Sequence, residues 1–338
     1  MKQFLLTILF TFVLVNASKA QQVTHIVHAN GYLQRQVNSI LSHNIKGLNA
    51  INGQIIIMDC KSGEIKAMVN LMNTKSGIKP AIRQLSEPTA LMRTVSLLAV
   101  LAQGKINPND SIDTKAGMLD INGYLLKDYN WLRGGNGKTS VQQGFLLSSN
   151  IATYLAVKQA FGKEYAQFRK IITDMGYGLP QDAIEATSSI LDNDISLAKF
   201  ATGKNQKISA LQILTFYNAI ANNGKMVKPT FHKRDTTIIK EQLASKENIA
   251  IIQQLLVQKV KDGLAHQAHS NKVSIAGEQG AVAAKEDGDN TVYCLQFCGY
   301  YPSDNPQYSI IVSLNKKGLP ASGGMAASIV TEVIECNN

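Results

Sequence analysis

Apolar positions along this chain change their spacing twice. From Gly53 to Val69 they form two strand-like blocks, Ile55-Ile56-Ile57-Met58 and Ile65-Lys66-Ala67-Met68-Val69, around Lys61-Ser62-Gly63, which predicts a hairpin with a tight turn. A helical entry around Tyr32 to His43 precedes it. From Thr89 to Gln103 the period becomes helical, and Gly104 closes the run as a glycine past a helix end commonly does. Helices continue through the middle. Ser140-Val141-Gln142-Gln143 reads as a capping box opening a helix that leads to Asn150, and an amphipathic stretch from Ala210 to Ala221 ends at Asn223-Gly224. Strand spacing then returns in Val273 to Ala276, Val292 to Gly299 and Tyr308 to Leu314, with Pro302-Ser303-Asp304-Asn305-Pro306 as a turn and a last helix from about Gly324 to Glu335. Strands at both ends and helices between predict one sheet completed by distant segments, 50–70 and 271–338, with a mainly helical lobe, about 85–270, inserted.

Composition adds limits. With 338 residues, 45% of them apolar, the chain can bury a large core, and disorder is excluded. Residues 1–20 carry a lysine near the start, an apolar run from Phe4 to Val15 and then Ser18-Lys19-Ala20, the pattern of a cleaved secretory signal; the alternative is an uncleaved anchor. A mature protein from near Gln21, in the periplasm or another extracytoplasmic space, is expected. Losing Lys2 and Lys19 and no acid takes the formal net charge from +10 to +8. A basic exported protein favours phosphate-bearing lipid headgroups or wall polymers, so peripheral membrane association is one expectation, set against a scattered, solvated lysine surface. No nucleic-acid motif is present. Of the four cysteines, Cys294 and Cys298 lie in one strand-like segment, where four steps separate them by roughly 13 Å, too far to bridge. Neither a disulfide, a metal nor a cofactor is assigned.

Several short segments point one way. Met58-Asp59 with Ser62-Gly63-Glu64-Ile65, Glu87-Pro88, Leu147-Ser148-Ser149-Asn150, Leu211-Gln212 with Tyr217, Ala221-Asn222-Asn223-Gly224, Lys228-Pro229 and Phe297-Cys298-Gly299-Tyr300-Tyr301-Pro302 stand in the order of a known group. From about residue 50 to its end the chain resembles the transpeptidase domain of the penicillin-binding proteins. The resemblance implies an α+β fold, a mainly antiparallel sheet flanked by helices with a helical lobe inserted, and peptidoglycan stem peptides or cell-wall assembly proteins as partners.

It also implies three chemical clusters, Ser-x-x-Lys, Ser-x-Asn and Lys-Thr-Gly. At the first, the serine nucleophile and the lysine one helical turn later correspond to Ala90 and Arg93. Alanine has no nucleophilic atom, and a guanidinium stays protonated at any working pH. The second survives as Ser148 and Asn150. The third aligns with Glu278-Gln279-Gly280, where a glutamate replaces the lysine and would repel a ligand carboxylate, and Gln279 replaces the hydroxyl residue. Arginine and glutamate facing one cleft predict an Arg93–Glu278 ion pair, direct or through water; two independently solvated side chains are the alternative.

Literal Ser-x-x-Lys matches at Ser76–Lys79 and Ser196–Lys199 read as chance, and Lys138-Thr139-Ser140 reads as the start of a helix. His266 and His269 sit beside Gly263-Leu264-Ala265, similar to the stretch leading into the third cluster, and are expected at the border of the cleft in surface or packing roles. Tyr129 and Trp131 are candidates for a ligand wall or for packing. The expected protein is therefore a catalytically inactive pseudoenzyme that binds peptidoglycan fragments or an assembly partner. Two alternatives stay open: an active D,D-transpeptidase or serine hydrolase with displaced residues, Ser148 attacking and Glu278 acting as base, and a purely structural module with a closed groove.

Overall fold

Six antiparallel strands form the central sheet of the computed structural model, which describes residues 31–80, 85–180, 187–188, 190–232 and 236–336. The predicted signal segment lies outside the described residues. In chain order the strands are β1 (Ala50–Asp59), β2 (Ile65–Thr74), β3 (Gly77–Pro80), β4 (Ala276–Lys285), β5 (Val292–Tyr301) and β6 (Tyr308–Lys317), and across the sheet they run β4-β5-β6-β1-β2-β3. Distant segments thus meet at the β1–β6 pair, where Ile55 faces Val312 and Ile57 faces Ile310. The chain leaves the sheet after β3 and returns at β4, which places the helical lobe as an insertion.

Among the described residues nine helices surround the sheet: α1 (Gly31–Gly47), α2 (Met92–Gln103), α3 (Val141–Leu146), α4 (Asn150–Phe161), α5 (Tyr165–Asp174), α6 (Asp194–Ala201), α7 (Ala210–Ala221), α8 (Lys246–Lys261) and α9 (Gly323–Glu335). Both sheet faces are covered. Ile55 and Ile57 of β1 pack with α1 and α9 residues such as Leu41 and Val330, whereas Ile56 and Met58 join the core shared with α2 and α7. This is why β1 is apolar at consecutive positions from Ile55 to Met58 rather than at alternate ones.

Three local expectations change. The strand expected over Val273 to Ala276 begins at Ala276 and runs to Lys285, through a sequence rich in glycine and alanine whose β-structure comes from pairing with β5 rather than from propensity. The helix expected from Ser140 to Asn150 is two helices, broken at Ser148 with its backbone in the left-handed region, φ 52°. Ser140 does cap α3 by accepting from the Gln143 amide. The stretch read as amphipathic, α7, is buried on every side. Its polar residues are bonded internally: Asn218 accepts from Ser309 Oγ at 2.7 Å, and Tyr217 donates to the Leu91 carbonyl at 3.0 Å.

Candidate functional site

A cleft of about 500 Å³ opens where the start of α2 meets β4, and Ala90 lines it. A 3₁₀ turn over Thr89–Leu91 leads into α2, with Thr89 held at φ 51°. β4 presses closely on this turn at Gly280. A Cβ there would lie 2.4 Å from Thr89 Oγ1 and 2.5 Å from the Ala90 nitrogen, so only glycine permits the approach. The positions matched to the first and third clusters are thereby brought together.

One helical turn beyond Ala90, Arg93 is buried, 7% exposed. Its Nη1 donates to the Ser148 carbonyl at 2.5 Å and to Asn150 Oδ1 at 2.9 Å. Arginine therefore ties the first cluster to the second. Burial holds its pKa below the usual value, while the fields of Glu278 and Asp128 oppose that shift. Asp128 anchors the break between α3 and α4: its carboxylate accepts from Ser149 Oγ at 2.7 Å and from the Ile151 amide at 3.0 Å, and Asn150 Nδ2 donates to the Lys127 carbonyl at 2.9 Å. Ser149, not Ser148, is the N-cap of α4.

Glu278 does not pair directly with Arg93. Its partner is Lys259 from α8, and both side chains are fully buried. Lys259 Nζ also donates to Ser148 Oγ at 2.8 Å and lies 4.2 Å from the centre of the Phe145 ring. Burial pushes the Lys259 ammonium down to about 8; Arg93 adds to that shift and Glu278 opposes it. The other oxygen of Glu278 accepts from the Gln279 amide at 3.0 Å. Two expectations fall together. Glu278 neither repels a ligand, being neutralised and absent from the cleft lining, nor stands ready as a base, since both its oxygens are engaged.

Lys259 was not anticipated, although a sequence signal exists. Ile249, Ile252, Leu255 and Leu256 form the buried stripe of α8, and Lys259 continues that stripe at helical spacing. A lysine on an apolar face implies a buried counterion. Gln279, in the third cluster, turns its amide nitrogen to the Leu264 carbonyl.

The remaining candidates disperse. Ser76 lies in the turn before β3 and Lys79 within that strand, so they share no helix. Ser196 completes a capping box with Asn193, and Lys199 lies over the Tyr124 ring at 4.9 Å. Lys138–Ser140 is a short strand paired with Ser111–Asp113 rather than the start of a helix, and only Ser140 caps. His266 and His269 are exposed, stacked at 5.4 Å and absent from the cleft lining. Tyr129 lines the cleft, whereas Trp131 carries Lys127 over its ring at 4.1 Å. All four cysteines are free thiols. Among the described residues no cluster of acidic, histidine or cysteine groups could hold a metal, and no helix is long and apolar enough to cross a membrane.

The family model "Penicillin binding protein transpeptidase domain" matches residues 53–335. The chain is similar to penicillin-binding protein PbpB of Mycobacterium tuberculosis, 26% identical over 330 residues that cover 86% of this chain and 47% of the relative. It is also similar to the probable peptidoglycan D,D-transpeptidase PenA of Neisseria flavescens, 22% identical, covering 82% of this chain and 72% of that protein. The chain spans about half the length of PbpB. The transpeptidase domain of penicillin-binding protein 3 from Burkholderia pseudomallei has the same fold, with a TM-score of 0.78 at 19% identity over 91% of this chain and 94% of that one.

Proposed function

The chain belongs to the penicillin-binding protein transpeptidase family, and from that premise we propose that it is a non-acylating member which works outside the cytoplasm and binds peptidoglycan fragments in the cleft. One observation carries the reading. Where the family's reaction begins, Ala90 offers a methyl group, and the residue one turn on is an arginine already committed to Ser148 and Asn150. Neither position 90 nor position 93 supplies an attacking oxygen or a proton acceptor. The cleft itself remains open, which favours a binder over a scaffold with a closed groove. Stem-peptide binding follows from kinship with named D,D-transpeptidases. An exported location follows from residues 1–20.

A single contact favours a second reading. Lys259 Nζ lies 2.8 Å from Ser148 Oγ, the spacing of a serine paired with a lysine base. Against it, that nitrogen also donates to a buried carboxylate, which favours the protonated form that cannot accept a proton. Fluorescent penicillin separates the two. We expect no covalent adduct; an adduct that Ser148→Ala abolishes would establish the serine–lysine reading instead.

A further inference from the structure

Apolar side chains gather in the open at one lip of the cleft. The segments Met118–Ile121 and Tyr124–Lys127 form a hairpin whose inner face, Leu119, Ile121, Tyr124 and Leu126, packs on the core shared with α2 and α7. Strand alternation should leave the outer face polar. Instead Met118 and Leu125 stand there exposed, beside Asp120 and Lys127. A 3₁₀ turn, Trp131–Arg133, abuts the base of the hairpin so closely that a Cβ on Gly117 would lie 3.0 Å from Trp131 Cα. That turn adds Leu132, 78% exposed, and Tyr129, 59% exposed, precedes it. Lys127 joins the two pieces, since it faces Met118 across the hairpin and lies over the Trp131 ring. These apolar residues are therefore contiguous, unlike the scattered surface leucines that need no explanation.

The charge around this patch is basic. Lys115, Lys127, Arg133 and Lys138 are exposed, whereas Asp128 is buried, and Asp113 and Asp120 accept from the Lys115 and Gly123 amides. Exposed aromatic and aliphatic side chains flanked by lysine and arginine match the boundary of an anionic bilayer, where rings settle at headgroup depth and cations reach the phosphates. A stable protein interface engages roughly 20–30 residues a side, more than this corner presents.

We propose that this corner docks onto an anionic phospholipid surface, with Tyr129, Trp131 and Leu132 entering the headgroup region and Lys115, Lys127 and Arg133 meeting lipid phosphates. This goes beyond the binding of wall fragments, since Met118, Trp131 and Leu132 lie outside the cleft lining. Leu125, Lys127 and Tyr129 belong to both surfaces, so docking sets the mouth of the cleft at the lipid surface.

Trp131 is the single tryptophan of the chain, so its fluorescence reports on this corner whatever residues 1–30 do. The test is titration of the full chain with vesicles of phosphatidylcholine containing phosphatidylglycerol, with vesicles of phosphatidylcholine alone and with soluble muropeptides. Anionic vesicles should shift the Trp131 emission to the blue, and lipid brominated near the headgroup should quench it. Neutral vesicles should bind at least about tenfold more weakly, since each cation at an anionic surface contributes about fivefold. Leu132→Asp, at an exposed position, should raise the lipid concentration needed for the shift at least about tenfold, and Lys115→Gln with Arg133→Gln should remove most of the preference for anionic lipid. No shift on anionic vesicles, an equal response to neutral and anionic ones, an unchanged lipid requirement in Leu132→Asp, or a shift produced by muropeptides and not by vesicles would each overturn the proposal; the last would assign the corner to the ligand of the cleft. Muropeptide affinity and penicillin labelling, which test the reading of the cleft, are independent of every vesicle result.

Discussion

Replacing Lys259 with methionine removes the ammonium from a site where neither partner touches solvent. Glu278 would then be a carboxylate buried without its cation, and Ser148 Oγ would lose its 2.8 Å donor. Breaking a buried pair from one side costs about 3–5 kcal/mol, most of it the desolvation of the survivor. For a domain of this size that corresponds to a fall in Tm of roughly 6–10 °C. The double variant Lys259→Met with Glu278→Gln removes both charges and keeps an acceptor for the Gln279 amide. It should recover to within about 1–2 kcal/mol of the parent. Urea unfolding monitored by circular dichroism, with the slope checked for constancy, measures both. A single variant that loses under about 1 kcal/mol, or a double variant no better than the single, would refute the argument that these charges are held only by one another.

Three further outcomes are expected. The Lys259 ammonium is pushed from 10.5 to about 8 in the folded protein, so between those values the unfolded chain holds a proton that the folded one does not. Stability should therefore rise with pH across that window by up to about 3 kcal/mol relative to the uncharged double variant, and a flat or falling difference in pH-resolved unfolding would contradict it. Gly280→Ala should cost about 1–3 kcal/mol and weaken ligand binding, because the added methyl meets Thr89 and the Ala90 nitrogen at 2.4 and 2.5 Å; a thermal melt checks the first part and titration the second. A thiol reagent should label one cysteine in the native protein and four after denaturation, since only Cys336 is exposed and burial pushes the thiols of Cys60, Cys294 and Cys298 up; a count of two under denaturing, non-reducing conditions would reveal a disulfide within the chain.

Much of the frame was legible because it rests on local patterns. The β1–β2 hairpin, α2 with its closing Gly104 in the left-handed conformation, and the α9 helix all follow from apolar spacing and turn residues. β4 was misplaced because Gly277, Glu278, Gln279 and Gly280 have little strand propensity; a neighbouring strand and the close approach to Ala90 put them there. The same long-range origin hid the pairing in the site. Order along the chain brought residues 90, 93, 148, 150, 278, 279 and 280 to one place, but said nothing about which of two buried cations would reach Glu278. Lys259 is nineteen residues away from Glu278 in sequence and arrives on a separate helix. Only the stripe of α8 hinted at it.

The lysine supplied by α8 also restricts which replacements the site can accept. A lysine introduced at position 278 would press two ammonium groups into one dry spot, and a serine introduced at position 90 would lie beside a guanidinium unable to take its proton. On the non-acylating reading, each single replacement is penalised before any catalytic reward, so turnover at this cleft would demand several coordinated replacements at once.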